Sequence, residues 1–146
     1  YSLMLANSIL GGGPHSKLFN NVREKESICY YASSNLEKTK GLMFISSGID
    51  IENYDRAIEL IRRELDDTMQ GKISQLELDN AKKSLINSLK AIGDSIVSDV
   101  EFTYNQYISG SKLTVEDVIG YVEKVDIDMI IESMKDVKED TVFFLK

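Results

Sequence analysis

The sequence predicts an α+β domain with helices packed on one face of an antiparallel sheet. Three observations carry this. Stretches rich in β-branched and aromatic residues, near 28–36 and 42–49, flank a short polar turn. A third such stretch, 141–145, lies at the end of the chain. The residues between 53 and 136 carry apolar stripes at helical spacing, opened by capping signals and stopped by glycines. Strands on both sides of a helical block favour helices segregated to one sheet face.

Taken in order, Leu3, Met4 and Ala6, then Ile9 and Leu10, stripe a first helix that Gly11-Gly12-Gly13-Pro14 ends. No N-cap precedes it, and Tyr1 is not a start methionine. The chain is therefore expected to be a piece of a longer polypeptide, forming one domain over 1–146. Ser16 reads as the cap of a second helix that buries Leu18, Phe19 and Val22. Two strands follow, joined by a turn at 38–41. Ile58, Ile61, Leu65 and Met69 stripe the next helix, which Gly71 ends. Ser74-Gln75-Leu76-Glu77 has the form of a capping box opening another, striped by Ala81, Leu85, Leu89 and Ile92. After Gly93-Asp94 a helix runs from about 98 to 108, and Gly110 closes it. Thr114 to Asp117 resembles a second capping box. A last helix starts at Asp128, and Glu139-Asp140 turns the chain into the final strand.

The composition restricts the function. A chain of 146 residues can bury a sizeable core without disulfide or metal staples. A net charge of −7 argues against nucleic acid and against an anionic membrane surface. The one cysteine suits a reducing, cytoplasmic setting. No apolar run approaches the ~18 residues of a membrane span.

Few residue groups can carry chemistry. The glycine turn is not a phosphate loop, because a helix precedes it and Ser16-Lys17 stands in the wrong order. It reads as a helix stop where a backbone, such as an extended peptide, could pass close to Gly11, Gly12 and Gly13. His15 is the only histidine, and a catalytic zinc site needs about three protein ligands. Hence no metal site is expected. Cys29 sits in a strand-like run with no sign of an activated thiol, and reads as a small apolar residue. The pairs Asp66-Asp67, Glu116-Asp117 and Glu139-Asp140 read as solvated faces. Arg23 and Tyr30 remain, seven residues apart at a helix-to-strand junction. A guanidinium fork and a neutral phenol donor together can hold a peptide carbonyl, or an oxyanion forming from it.

The stretch LGGGPHSKLFNNVREKESICYYASS resembles the C-terminal half of the insulinase-like (M16, pitrilysin) zinc metallopeptidases. Ser16, Leu18 and Phe19 stand at that family's Ser-x-Leu-Phe, and Arg23 and Tyr30 at its arginine and tyrosine. Gly48-Ile49 and GKISQLELDNAKKSLINSL agree downstream. The resemblance implies an M16/LuxS-type metallohydrolase-like half-domain whose first strand would precede Tyr1. It also implies a zinc-bearing N-terminal half, with HxxEH, facing this one. Arg23 would bind substrate backbone, and Tyr30 would bind it and act catalytically as the carbonyl or oxyanion donor. The leading expectation is thus the substrate-binding half of a zinc-dependent peptidase acting on peptides or unfolded proteins. Zinc would be absent from this stretch and present in the partner half. The alternative is a non-catalytic partner that binds peptides or completes a complex with an active homologue. A stand-alone thiol enzyme using Cys29 is a distant third.

Overall fold

The computed structural model describes residues 1–37 and 40–145. Helix α1 (Ser2–Gly11) buries Leu5, Ala6, Ile9 and Leu10, so its inward stripe centres on Leu5, with Leu3 and Met4 half-buried beside it. A π-helical segment, Leu18–Lys25, follows the glycine turn and buries Leu18 and Val22. The Ser16 hydroxyl accepts from the Phe19 amide at 3.4 Å, as a cap would. Lys17 is itself buried and pairs with Glu77 at 3.0 Å, tying this segment to a later helix.

Strands β1 (Cys29–Glu37) and β2 (Leu42–Ile49) form an antiparallel ribbon. Its inner face carries Ala32 and Ser34, both buried, and its outer face exposes Tyr31 and Phe44. Of the predicted turn at 38–41, Lys38 and Thr39 lie outside the described residues, and Gly41 takes a left-handed φ of 64°. A short 3₁₀ turn (Ile51–Asn53) leads into α2 (Tyr54–Met69). Then come α3 (Gln75–Lys90), α4 (Ile96–Ile108), α5 (Val115–Lys124) and α6 (Ile127–Met134). Both capping boxes form: Glu77 closes on Ser74, and Asp117 on Thr114. Helix α6 starts at its Asp126 cap rather than at Asp128, because the Asp126 carboxylate accepts from the Met129 amide at 2.8 Å.

One predicted strand does not form. Residues 141–145 have strand composition but make no ladder, and the sheet is two-stranded among the described residues. A strand needs a free edge within reach, and this segment is held against α2 instead. Arg62 donates two hydrogen bonds to Glu139, at 2.7 and 2.8 Å, and the Phe144 ring lies 4.5 Å from Tyr54. Val142, Phe143 and Leu145 are left exposed.

The apolar core has two parts. The larger gathers α1, α3, α5 and α6 around Leu5, Leu78, Val122, Ile130 and Met134. The smaller joins Leu10, Leu18, Val22, Ala32 and Leu60, and so fixes the π-helical segment between α1, β1 and α2. On α2 the buried stripe is Ala57, Leu60, Glu64 and Thr68, one position away from the apolar stripe read in the sequence. Two of its members are polar and therefore invisible to hydropathy. Both are satisfied: Asn21 donates to Glu64 at 2.8 Å, and the Thr68 hydroxyl donates to the Glu64 carbonyl at 2.7 Å.

Candidate functional site

Arg23 lies in the last turn of the π-helical segment, where wide turns often mark functional positions. The chain then reverses at Ser27, which takes a φ of 54°. A non-glycine residue in this region is uncommon. The Ser27 hydroxyl donates to the Glu24 carbonyl at 3.1 Å and holds the reversal. It brings the guanidinium back onto β1, where Arg23 Nε donates to the Tyr30 carbonyl at 3.0 Å. Arg23 also lies over the Phe19 ring, 4.6 Å from its centroid, and its Nη1 faces Glu24 at 3.3 Å. Its remaining nitrogen, Nη2, has no hydrogen-bond partner among the described residues.

Tyr30 occupies a β-bulge. Cys29 pairs with Ile49 and Tyr31 with Gly48, so Tyr30 is the extra residue. A bulge re-aims side chains, and here both Tyr30 and Tyr31 face outward, 69% and 53% exposed. Tyr31 covers Gly48, where an added Cβ would sit 2.5 Å from the ring. Tyr30 reaches past the end of β2, and its hydroxyl donates to Asp50 at 2.9 Å. Asn53 donates to the Ile28 carbonyl at 3.4 Å, and Arg56 pairs with Glu26 at 3.2 Å, which ties the start of α2 to the same corner.

The corner joins Arg23 to the Tyr30 backbone carbonyl, while the phenol turns to Asp50, a member that sequence reasoning missed. Asp50 follows Gly48-Ile49 directly, but only the bulge makes it a neighbour of Tyr30. Accepting a hydrogen bond from the phenol, the Asp50 carboxylate holds the Tyr30 pKa above its ordinary value of about 10. The neutral, donating phenol is thus favoured up to the ordinary pKa, and the Tyr30–Asp50 contact is lost as pH rises through the raised one. Asp50→Asn should make Tyr30 titrate at lower pH. Ultraviolet phenolate absorbance, with a Tyr30→Phe protein to isolate the signal, measures this. An unchanged titration would show that Asp50 does not govern the phenol.

The glycine turn has a different role at each position. Gly11 is buried, and a Cβ there would stand 2.4 Å from the Ser34 backbone nitrogen. Gly12 is exposed, and Gly13 has nothing within 4 Å of an added Cβ. Gly12, Gly13 and His15 border a cavity of about 40 Å³ against Glu77 and Asn80, large enough for one water and not for a peptide. No hydrogen bond joins the turn to Arg23 or Tyr30 among the described residues. A larger surface groove, about 630 Å³, runs along α2 beside Arg62, Arg63, Asp66 and Asp67. It contains neither Arg23 nor Tyr30, and its mixed charges do not converge on one ligand chemistry.

His15 is exposed and Cys29 half-buried against the smaller core. No three His, Cys, Asp or Glu side chains gather as a metal ion would require among the described residues. No described helix is long and apolar enough to cross a membrane.

This fold has known counterparts. Residues 1–85 match the family described as the peptidase M16 inactive domain. The chain belongs to that family. It is 34% identical over 145 residues to a probable inactive metalloprotease, YmfF, of Bacillus subtilis strain 168, covering 99% of this chain and 34% of that protein. An uncharacterised zinc protease of the same organism, YmxG, is 26% identical, over 89% of this chain and 32% of its own length. The crystal structure of a conserved protein from Enterococcus faecalis V583 superposes with a TM-score of 0.85 at 38% identity, over 92% of this chain and 32% of that one. The chain thus spans about a third of the length of the relatives it matches.

Proposed function

We propose that this stretch is one domain of a longer M16-type protein, in which it pairs with a companion domain or subunit and holds extended peptide backbone without catalysing its cleavage. The carrying observation is the Arg23–Tyr30–Asp50 corner. A bulge exposes the phenol, whose one proton goes to Asp50, and Arg23, bonded through Nε to the Tyr30 carbonyl, has no hydrogen-bond partner for Nη2 among the described residues. That nitrogen suits a peptide carbonyl, which accepts hydrogen bonds and carries no charge, and the phenol would donate to one by exchanging Asp50 for it. The open space at Gly13 is a second place for a peptide to approach. Gly11 is not, because β1 already covers it.

The inactive-domain family and the name of the Bacillus relative YmfF support the non-catalytic reading over a peptidase half. The name of YmxG keeps the other reading in view: a zinc-bearing companion, with Tyr30 donating to the forming oxyanion. The two differ in what one hydroxyl does. Tyr30→Phe removes a neutral donor worth about 1 kcal/mol, so affinity for a dye-labelled unstructured peptide should fall several-fold with folding unchanged. A catalytic Tyr30 would add a loss of ~10²-fold in turnover. Fluorescence anisotropy and peptide-cleavage rates on the full-length protein separate them. Wild-type affinity and wild-type cleavage in Tyr30→Phe would remove Tyr30 from the site altogether.

A further inference from the structure

Helix α4 is built the wrong way round for a domain that stands alone. It buries no residue fully, and it rests on the core through half-buried Phe102. Its apolar residues point the other way. Ile96, Val97, Val100, Tyr104, Tyr107 and Ile108 are 85, 68, 62, 61, 83 and 55% exposed. At about 100° per residue they fill a single arc of roughly 120°, centred opposite Phe102. Scattered apolar residues on a surface need no explanation, but a continuous stripe this regular marks a contact surface.

The rim of the stripe selects the occupant. Asp99 and Glu101 flank it on either side, Asp94 stands before it, and no lysine or arginine occurs from 91 to 111. A second copy would bring the same carboxylates against these, and its nearest cations in sequence, Lys90 and Lys112, stand beyond the ends of the helix. An anionic membrane would meet the same repulsion. An apolar surface edged with lysine or arginine would match both the stripe and its border. The relatives supply a source for it, since this stretch accounts for about a third of their length.

We propose that the outward face of α4 is the seat of a companion M16-type domain on the same, longer polypeptide, which meets it with an apolar patch rimmed by basic side chains. This rests on the pairing proposed above and adds where the pairing occurs. Hydroxyl-radical footprinting of the full-length protein tests it at Tyr104 and Tyr107. Both should be protected at least tenfold relative to free tyrosine, at every protein concentration. Val100→Asp should lower the melting temperature of the full-length protein and restore reactivity at both tyrosines. Val100 is largely solvated in the structure, so this substitution leaves the domain's own packing intact. Three outcomes overturn the proposal: tyrosines as reactive as free tyrosine, protection that vanishes on dilution and so belongs to a second copy, or protection only on anionic vesicles. The peptide-binding reading fails on a different result, unchanged peptide affinity in both Tyr30→Phe and Arg23→Ala, so the two can fall separately.

Discussion

Gly11→Ala should lower the stability of the domain by about 1–3 kcal/mol, the usual cost of forcing an extra methyl into a filled core. Two effects oppose each other here. Alanine is the better helix former, by about 1 kcal/mol over glycine inside a helix. Against it, the new Cβ would stand 2.4 Å from the Ser34 backbone nitrogen, 2.7 Å from its hydroxyl and 2.9 Å from Leu18 Cδ1. The first of these is backbone and cannot swing aside. It is also pinned, because Asn7 donates to the Ser34 carbonyl at 3.3 Å and Ser34 donates back to the Asn7 carbonyl at 3.1 Å. Relief therefore requires α1 and β1 to separate, which would loosen the smaller core and the corner built on it. Sterics should win. Gly13→Ala is the control, since open space surrounds it, and should stay within about 0.5 kcal/mol of wild type. Thermal melts followed by circular dichroism compare the two. Equal melting temperatures for the Gly11 and Gly13 variants would mean that the glycine at position 11 is not a packing requirement.

Arg23→Ala should reduce affinity for an unstructured peptide by about 10- to 100-fold, because a hydrogen bond from a charged donor is worth about 1.5–3 kcal/mol. The effect should exceed that of Tyr30→Phe for two reasons. The guanidinium is a charged donor, and Arg23 also holds the bulge through its 3.0 Å bond to the Tyr30 carbonyl. Arg23→Lys should fall between, since it keeps the charge and loses the planar fork. The side chain is about 39% exposed, so the loss of overall stability should be small. Isothermal titration with a labelled peptide, alongside melts of each variant, reads both quantities. Full peptide affinity in a folded Arg23→Ala protein would leave Arg23 as a strand support and nothing more.

Local chemistry made much of the fold legible. Ser74 with Glu77 and Thr114 with Asp117 announce their helices because a capping box satisfies its donors within one turn. Gly71 and Gly110 mark helix ends with left-handed φ values of 72° and 66°. The 42–49 strand was readable from its residue types. The miss at 141–145 has the opposite cause. Strand propensity states what a segment tolerates, and a ladder also needs a partner edge; Arg62 and Tyr54 offered this segment another place. The buried stripe on α2 escaped for a related reason, since Glu64 and Thr68 are buried through partners distant in sequence or in the backbone.

By itself, the sequence determined the helix ends that the two capping boxes and the glycines at 71 and 110 set, the pairing of the two strands, and the candidacy of Arg23 and Tyr30. Each depends on groups a few residues apart, or on chemical type alone. The tertiary structure decided what those residues face. The bulge at Tyr30, the reversal at Ser27 and the contact with Asp50 arise from how β1 meets β2 and α2, as does the difference between buried Gly11 and open Gly13. The outward stripe of α4 is the sharpest case. The sequence announces a helix there, and periodicity can report that one side is apolar without reporting which side meets the core.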